Sequence, residues 1–440
     1  MTTETATDQA VHAQADLPSE TRARILIYLG VLTFMVGFGA PFGGLIAVPV
    51  TYFLKNKLHF SAIRVSEFQL VAAIPLYASA LWGFVRDNWS PFGIRDRGYL
   101  IVFGFACAVL YLAFAFAPAS PVGLAGAMIA LTSAFLFVQS GQLGLTSAIG
   151  RQHVMSGQVS ALWNAVNSLP TLLAFAIGGF LSDQMEGKHA DAAARTLFMV
   201  GAATMLVIGA FALWRPRAVY DNLRDERVEK STPWADAKRL ARHWPIYPAL
   251  LIWFLWNFAP GSNTPLQFYL QDKLHADDAT FSLWNAVFAA CFIPTYLLYG
   301  FLCRRVKLGR LIFWGTVVGV PQMTPLLFIH TPQGALIAAA PSGLMGGLCT
   351  AAFVDLIIRS CPKGLEGTIL MMTTAFYYLV TRLGDLLGTA LYEKFGGFAV
   401  CVAAITIVYA AILPALLLVP RRLLATADGE ALEDPGGTFG

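Results

Sequence analysis

Charge is what this sequence has least of. Only 13% of its 440 residues are Asp, Glu, Lys or Arg, about half the share in an ordinary soluble protein, while 57% are hydrophobic. That balance excludes a soluble globule, so the chain reads as an integral membrane protein. Enzyme signatures are missing as well: there is no GxxxxGK followed by Ser or Thr to cradle a nucleotide, no HExxH to hold zinc and no GxSxG elbow. No enzyme, cofactor or metal is therefore expected, and any accumulation of a solute has to draw on an ion gradient rather than on ATP bound to this chain. The six cysteines (Cys107, Cys291, Cys303, Cys349, Cys361 and Cys401) lie scattered in or beside apolar runs without metal-ligand spacing, which excludes a disulfide framework. The net charge of +4 comes from basic residues dispersed in short loops rather than gathered on one face, so nucleic acid is excluded as a partner. Residues 1–20 are polar and the first apolar run is longer than a signal-peptide core, so the first span is expected to stay in the mature protein.

What is present is a series of long apolar runs. A helix needs about 20 such residues to cross the hydrocarbon, and twelve runs qualify: 25–54, 63–84, 98–117, 121–149, 154–182, 193–214, 245–271, 279–302, 309–330, 334–359, 364–391 and 396–420. The reading is an all-α membrane protein of twelve transmembrane helices in two six-helix bundles. Its parts are an N-terminal tail (1–24), a first bundle (25–215), a linker (216–243), a second bundle (244–420) and a C-terminal tail (421–440). Within the linker, DNLRDERVEK at 221–230 suits either an amphipathic surface helix or, more simply, a solvated charge run. With the termini inside, inner loops and tails carry 22 basic residues against 7 outside, which predicts both termini in the cytoplasm, in a bacterial inner membrane.

The two bundles look duplicated. At a constant offset, Pro49, Leu54, Lys57, Leu58 and His59 match Pro265, Leu270, Lys273, Leu274 and His275, and IPLY at 74–77 recurs as IPTY at 293–296. Parallel six-helix halves are an architecture of secondary transporters. The first span of each half is broken, GFGAPFGG at 37–44 and NFAPGSNTP at 257–265. Paired interruptions of this kind mark a transporter's binding site or, equally, bends inherited for packing. They predict a pocket between spans 1 and 7, with Pro41 and Pro260 facing it.

GFVRDNWSPFGIRDR at 83–97 joins spans 2 and 3. It resembles the loop between helices 2 and 3 of the major facilitator superfamily: a Gly, three residues, an Asp, a basic residue, then Gly and a basic pair. Asn88 stands where that pattern has the basic residue, and WSPF lengthens the loop. The resemblance implies a cytoplasmic gate involving Gly83, Asp87, Arg95 and Arg97, with Asp87 charge-paired to the other half; the plain alternative is a basic anchoring loop.

Polar residues inside the spans supply the candidate site. Asn164, Asn167, Ser168 and Thr171 share one face of span 5. Gln139 and Gln142 lie three apart on span 4, and Trp253, Trp256 and Asn257 add rings and an amide on span 7. As a set they suit a pocket lining, and singly they suit hydrogen bonds between helices. Ionisable residues in spans are costly and more telling. Arg382 and Asp385 share a face of span 11 with Tyr378 one turn earlier, readable as a self-neutralised pair or as an anion anchor beside a protonatable carboxylate. Asp355 and Arg359 on span 10 read as a gate or an interfacial pair, with Glu366 nearby. Asp385, Asp355 and Glu67 are the proton-coupling candidates.

CPKGLEGT at 361–368 resembles a signature of the folate-biopterin transporter family, which also carries a Gly-to-Asp loop like the one at 83–97. The resemblance implies a secondary transporter of pteridines, folates or another anionic organic solute, coupled to protons as a symporter and working by alternating access. Related branches carry muropeptides or acetyl-CoA-like molecules, and one is associated with light-harvesting assembly. Those relatives often place acidic residues four apart on helix 4, where this chain has Gln142 and Thr146. The expected partners are a small-molecule substrate, protons and the lipid bilayer, with the protein a monomer. The competing reading is a non-transporting membrane scaffold of the same fold; an open channel is disfavoured because nothing resembles a filter or a ring of like charge.

Overall fold

The computed structural model describes residues 18–42, 50, 54, 58–60, 62–116, 120–186, 190–221, 233–276, 278–395 and 397–430. Among them, eight helices are long and apolar enough to cross a membrane. The remaining spans are interrupted or more polar helices that complete a twelve-helix, two-bundle arrangement. We number the spans α1 (Ser19–Phe38), α2 (Ala62–Ala72, Ile74–Tyr77 and Ala80–Asn88), α3 (Asp96–Phe116), α4 (Pro121–Gln152), α5 (Ser156–Glu186) and α6 (Ala190–Leu213). The second half comprises α7 (Ile246–Asn257, resuming as Thr264–Phe268 and the π turn Tyr269–Lys273), α8 (Asp278–Leu302), α9 (Leu308–Gly319), α10 (Pro332–Ser360), α11 (Glu366–Lys394) and α12 (Phe398–Ala410, extended by short turns to Leu418). The linker segment 222–230, with the charge run expected there, lies outside the described residues, as do Pro49 and Lys57 of the repeat.

The duplication is written into backbone detail. His59 and His275 both adopt left-handed φ, 50° and 52°. Just beyond them, the amides of Phe60 and Ala276 each close a wide turn onto Leu54 and Leu270, both at 2.9 Å. The starts of α4 and α10 match too. Ser120 and Thr331 each accept from the amide of the glycine three residues on, at 3.1 Å, with a proline at the first helical position. An N-cap hydroxyl and a proline whose missing N–H would go unused are a strong local start signal.

One apolar cluster fills the first half, and a second fills the other half and reaches across the interface to Ala73, Leu76, Leu136, Leu143, Ala161 and Ala165 of α2, α4 and α5. Between halves, α2 runs along α11 and α5 along α8. In a bilayer, apolar burial does not distinguish lipid from helix, so close backbone approach carries association. Gly83 is the clearest case: a Cβ there would collide with the Gly367 carbonyl of α11. The apolar run predicts that span 2 ends at residue 84, beside Gly83, but α2 does not end there. The helix continues to Asn88, and the glycine serves the crossing. The turn comes later, at Pro91 and at Gly93, whose φ is +70°.

Candidate functional site

A cavity of about 560 Å³ lies between the halves, within the usual range for small-molecule sites. It is lined by α1 (Thr33, Gly37), α4 (Gln139, Gln142) and α5 (Asn164, Asn167) on one side, and by α7 (Trp253, Asn257), α10 (Thr350) and α11 (Thr373, Tyr378) on the other. Among the described residues, no charged side chain is in this lining.

The lining amides divide by what already occupies them. Gln142 donates to Thr33 Oγ1 (2.9 Å) and Thr146 Oγ1 (3.3 Å), Asn164 to the Ser160 carbonyl (2.8 Å) and Asn257 to the Trp253 carbonyl (2.8 Å); the Trp253 indole donates to the Thr373 carbonyl (3.0 Å). These groups hold the wall in shape. Gln139 and Asn167 have no hydrogen-bond partner among the described residues, although both line the cavity. Each brings a carbonyl and an NH₂ to the open space.

Charge gathers instead at the end of the bundle where α2 meets α11, here termed the tail end because the C-terminal segment docks there. Asp87 crosses the interface: it accepts from the Gly367 amide (3.1 Å), the Thr368 amide (2.7 Å) and Thr368 Oγ1 (2.6 Å) at the start of α11. A carboxylate is favoured at a helix N-terminus because it meets unpaired N–H groups and the positive end of the helix dipole. Arg86 neutralises it from its own half (2.6 Å) and also donates through Nε to Asp96 (2.7 Å). A second crossing joins Arg151 at the end of α4 to Glu366 of α11 at 2.5 Å. On the other seam, Arg359 pairs with Asp355 (2.8 Å) and reaches Ser156 Oγ of α5 (3.2 Å), while Tyr299 of α8 donates to Asp355 (2.6 Å). Asp355 is fully buried.

Several sequence expectations are corrected here. Arg382 is not in the cavity lining, and its side chain is exposed. Asp385 is not its neutralising partner: it accepts from the amide (2.9 Å) and hydroxyl (2.8 Å) of Thr264, holding the point where α7 resumes. A broken helix exposes amides that need acceptors, and Asp385 supplies one. Glu67 is exposed. Pro41 lines the cavity, but Pro260 is buried against Gly388 of α11. Among the described residues, α1 and α7 face each other across the cavity, and both contribute to its lining. Arg97 stays in its own half, donating to the carbonyls of Ala212 (3.0 Å) and Leu213 (2.9 Å) at the end of α6, where a cation suits the helix dipole. Arg95 uses its amide to donate to Ser90 Oγ (2.7 Å) within the loop. Asp87 does join the halves, through helix-end amides rather than through a charge partner across the interface. Arg86, Arg151, Ser156 and Gly157 were not singled out from sequence. The signal that could have found them is the duplication itself, since Arg151 and Arg359 each close the helix before a paired Ser-Gly or Glu-Gly start.

Residues 152–384, more than half of the chain, match the model of the Major Facilitator Superfamily. The chain belongs to this superfamily. It is a multi-pass membrane protein of a family of transporters, not of enzymes. Among curated relatives, a folate-biopterin transporter of Synechocystis is 24% identical over 370 residues, covering 80% of this chain and 72% of the relative. Folate transporter 2 of Plasmodium falciparum is 19% identical, covering 80% and 78%. These agree with the resemblance carried by CPKGLEGT. Among solved structures, the superfamily transporter FucP in its outward conformation has a TM-score of 0.68 at 12% identity, covering 90% of this chain and 98% of that one. The human organic anion transporter MFSD10 (TETRAN) has a TM-score of 0.59 at 13% identity, covering 91% and all of its chain. Both share the fold.

Proposed function

We propose that the chain is a secondary carrier that moves a planar, hydrogen-bonding organic solute of the pteridine type by alternating access, exposing the central cavity first to one side and then to the other. The observation that carries this reading is the uncharged cavity shared by both halves, with Gln139 and Asn167 unpartnered inside it among the described residues. A pterin ring offers donors and acceptors on one edge and flat faces for the surrounding aromatic side chains. With no cation in the lining among the described residues, recognition rests on the neutral ring system rather than on an anionic group. Relatives named for folate and biopterin support this class of substrate. On the excess of basic residues there, the tail end faces the cytoplasm. Of the carboxylates considered for proton coupling, Asp355 is the best supported, being buried between Tyr299 and Arg359.

Binding to the folded protein raises its melting temperature, so a thermal-shift screen of purified protein against pteridines, nucleotides, sugars and peptides tests the reading. A pterin is expected to stabilise it. Gln139→Leu and Asn167→Leu should each weaken that binding roughly two- to tenfold, the loss of about one neutral hydrogen bond to ligand, with little change in the melting of unliganded protein. Absence of a shift with every pteridine, or unchanged affinity in both variants, would overturn it.

A further inference from the structure

The two seams between the halves close at the tail end in the same way but with carboxylates of different origin. At the start of α11, Oδ1 of Asp87 accepts from the amide of Gly367, and Oδ2 from the amide and hydroxyl of Thr368. At the start of α5, Oδ1 of Asp428 accepts from the amide of Gly157 (3.0 Å), and Oδ2 from the amide (3.1 Å) and side-chain Nε2 (3.1 Å) of Gln158. The two sites match atom for atom, glycine to glycine and polar residue to polar residue.

Duplication explains why the second carboxylate comes from elsewhere. The Gly83 position recurs at Gly300, so the match to Asp87, four residues on, falls at Arg304. Arg304 is exposed and carries the wrong charge for a helix N-terminus. The chain returns after α12 and fills the gap from its C-terminal segment.

That segment is tied to both halves. Within the second half, the Asp428 amide donates to the Cys303 carbonyl (2.8 Å), the Leu308 amide to the Thr426 carbonyl (3.2 Å), and Arg359 Nη1 to the same carbonyl (3.0 Å). Within the first half, the Gly429 amide donates to the Val154 carbonyl (2.7 Å), beside the Asp428 contacts to α5. Asp428 is buried, and Arg359 lies 3.7 Å from it.

We propose that residues 426–429 are a latch that holds the α5–α8 seam shut at the tail end, with Asp428 as the substitute for the carboxylate that the second half lost, so that this end opens only when the segment leaves α5. The consequence for transport rests on the carrier reading above, but the latch itself is measured without any substrate.

Two native cysteines lie under the two closures. Cys303 Sγ is 3.8 Å from the Asp428 carboxylate and 1% exposed, and Cys361, just before α11, is 5% exposed. The rate at which a maleimide modifies each in purified full-length protein, resolved by peptide mass spectrometry, reports the two seams separately. Asp428→Ala should raise labelling of both Cys303 and Cys361 roughly tenfold or more, since at least one charge-assisted bond across the halves is lost. Labelling raised at Cys303 alone would mean that the segment covers one thiol without holding the halves together, and unchanged labelling at both would mean that it holds nothing; either result overturns the proposal. Should Asp428→Ala fail to fold, deletion of residues 427–440 gives the same readout. Loss of pterin binding with the labelling pattern intact would count against the carrier reading and leave the latch standing.

Discussion

The centre of this molecule and its tail end treat polarity in opposite ways. Among the described residues, the cavity is lined by amides, hydroxyls and rings with no charge, whereas a few helical turns away the two seams are fastened by Arg86, Asp87, Arg151, Glu366, Asp355 and Arg359. The difference follows from what each place has to do. A substrate must be able to leave, and neutral hydrogen bonds contribute only about 0.5–1.5 kcal/mol each. A closure must hold until it is released as a unit, and charge-assisted bonds in a site sheltered from water are about twice as strong. Satisfied as a network, such groups give two discrete states rather than a graded one.

The contrast breaks most visibly at Asp87, whose side chain is fully buried and accepts three bonds from α11. Asp87→Ala leaves Arg86 with one carboxylate fewer and two helix-end amides bare. A destabilisation of about 3–5 kcal/mol is expected, as when one member of a buried pair is removed, read as a lower melting temperature and faster modification of Cys361. A melt like that of the wild type would mean that the closure carries no load there.

A smaller effect is expected at the Arg151–Glu366 crossing, whose side chains retain 17% and 8% exposure. Arg151→Gln, Glu366→Gln and the double variant form a cycle in which the coupling should come out at about 1–2 kcal/mol, between exposed and fully buried pairs. Additive effects would sever this link between the halves.

The smallest expected effect is a pH dependence of the latch. Burial, aided by nearby Asp355, pushes the Asp428 carboxyl up to about 6, against the opposing pull of the Gly157 and Gln158 N–H groups and Arg359. The Cys303 thiol, just after α8, also lies against it, while Glu430 of the tail accepts from the Ala427 amide. Because the docked value lies above the ordinary carboxylate value, the docked tail gains its full proton-linked stabilisation below that ordinary value and loses it as pH rises through about 6. The melting-temperature difference between wild type and the 427–440 deletion should therefore shrink from pH 5 to pH 7. A difference that grows over that range would reverse the assignment.

How far the sequence reads depends on the length scale of the physics involved. Spans, caps and the duplication are local: apolar length, Ser120 and Thr331 before a proline, and the matched His59 and His275 can be read along the chain. The polar stripe of α5 was legible for the same reason, since the helical period puts Asn164 and Asn167 on one face. Arg382 and Asp385 were not. Spacing makes them look like a pair, yet Asp385 is committed to Thr264, 121 residues away, because the break in α7 leaves an amide that needs an acceptor. The role of Gly83 was hidden in the same way, since a glycine that ends a helix and one that lets two backbones touch look identical in one dimension.

By itself, then, the sequence determined that this is a two-bundle membrane protein with broken first spans, a basic end and polar faces, because hydrophobic length, helical period and turn chemistry act within a few residues. Only the tertiary structure decided which amides are spent on the wall and which stay open, and which carboxylate meets which helix. Those outcomes depend on groups more than a hundred residues apart arriving within 3 Å, as Asp87 does at Thr368 and Asp428 at Gly157. The choice among them is made by packing and by the cost of leaving a buried polar group unpaired.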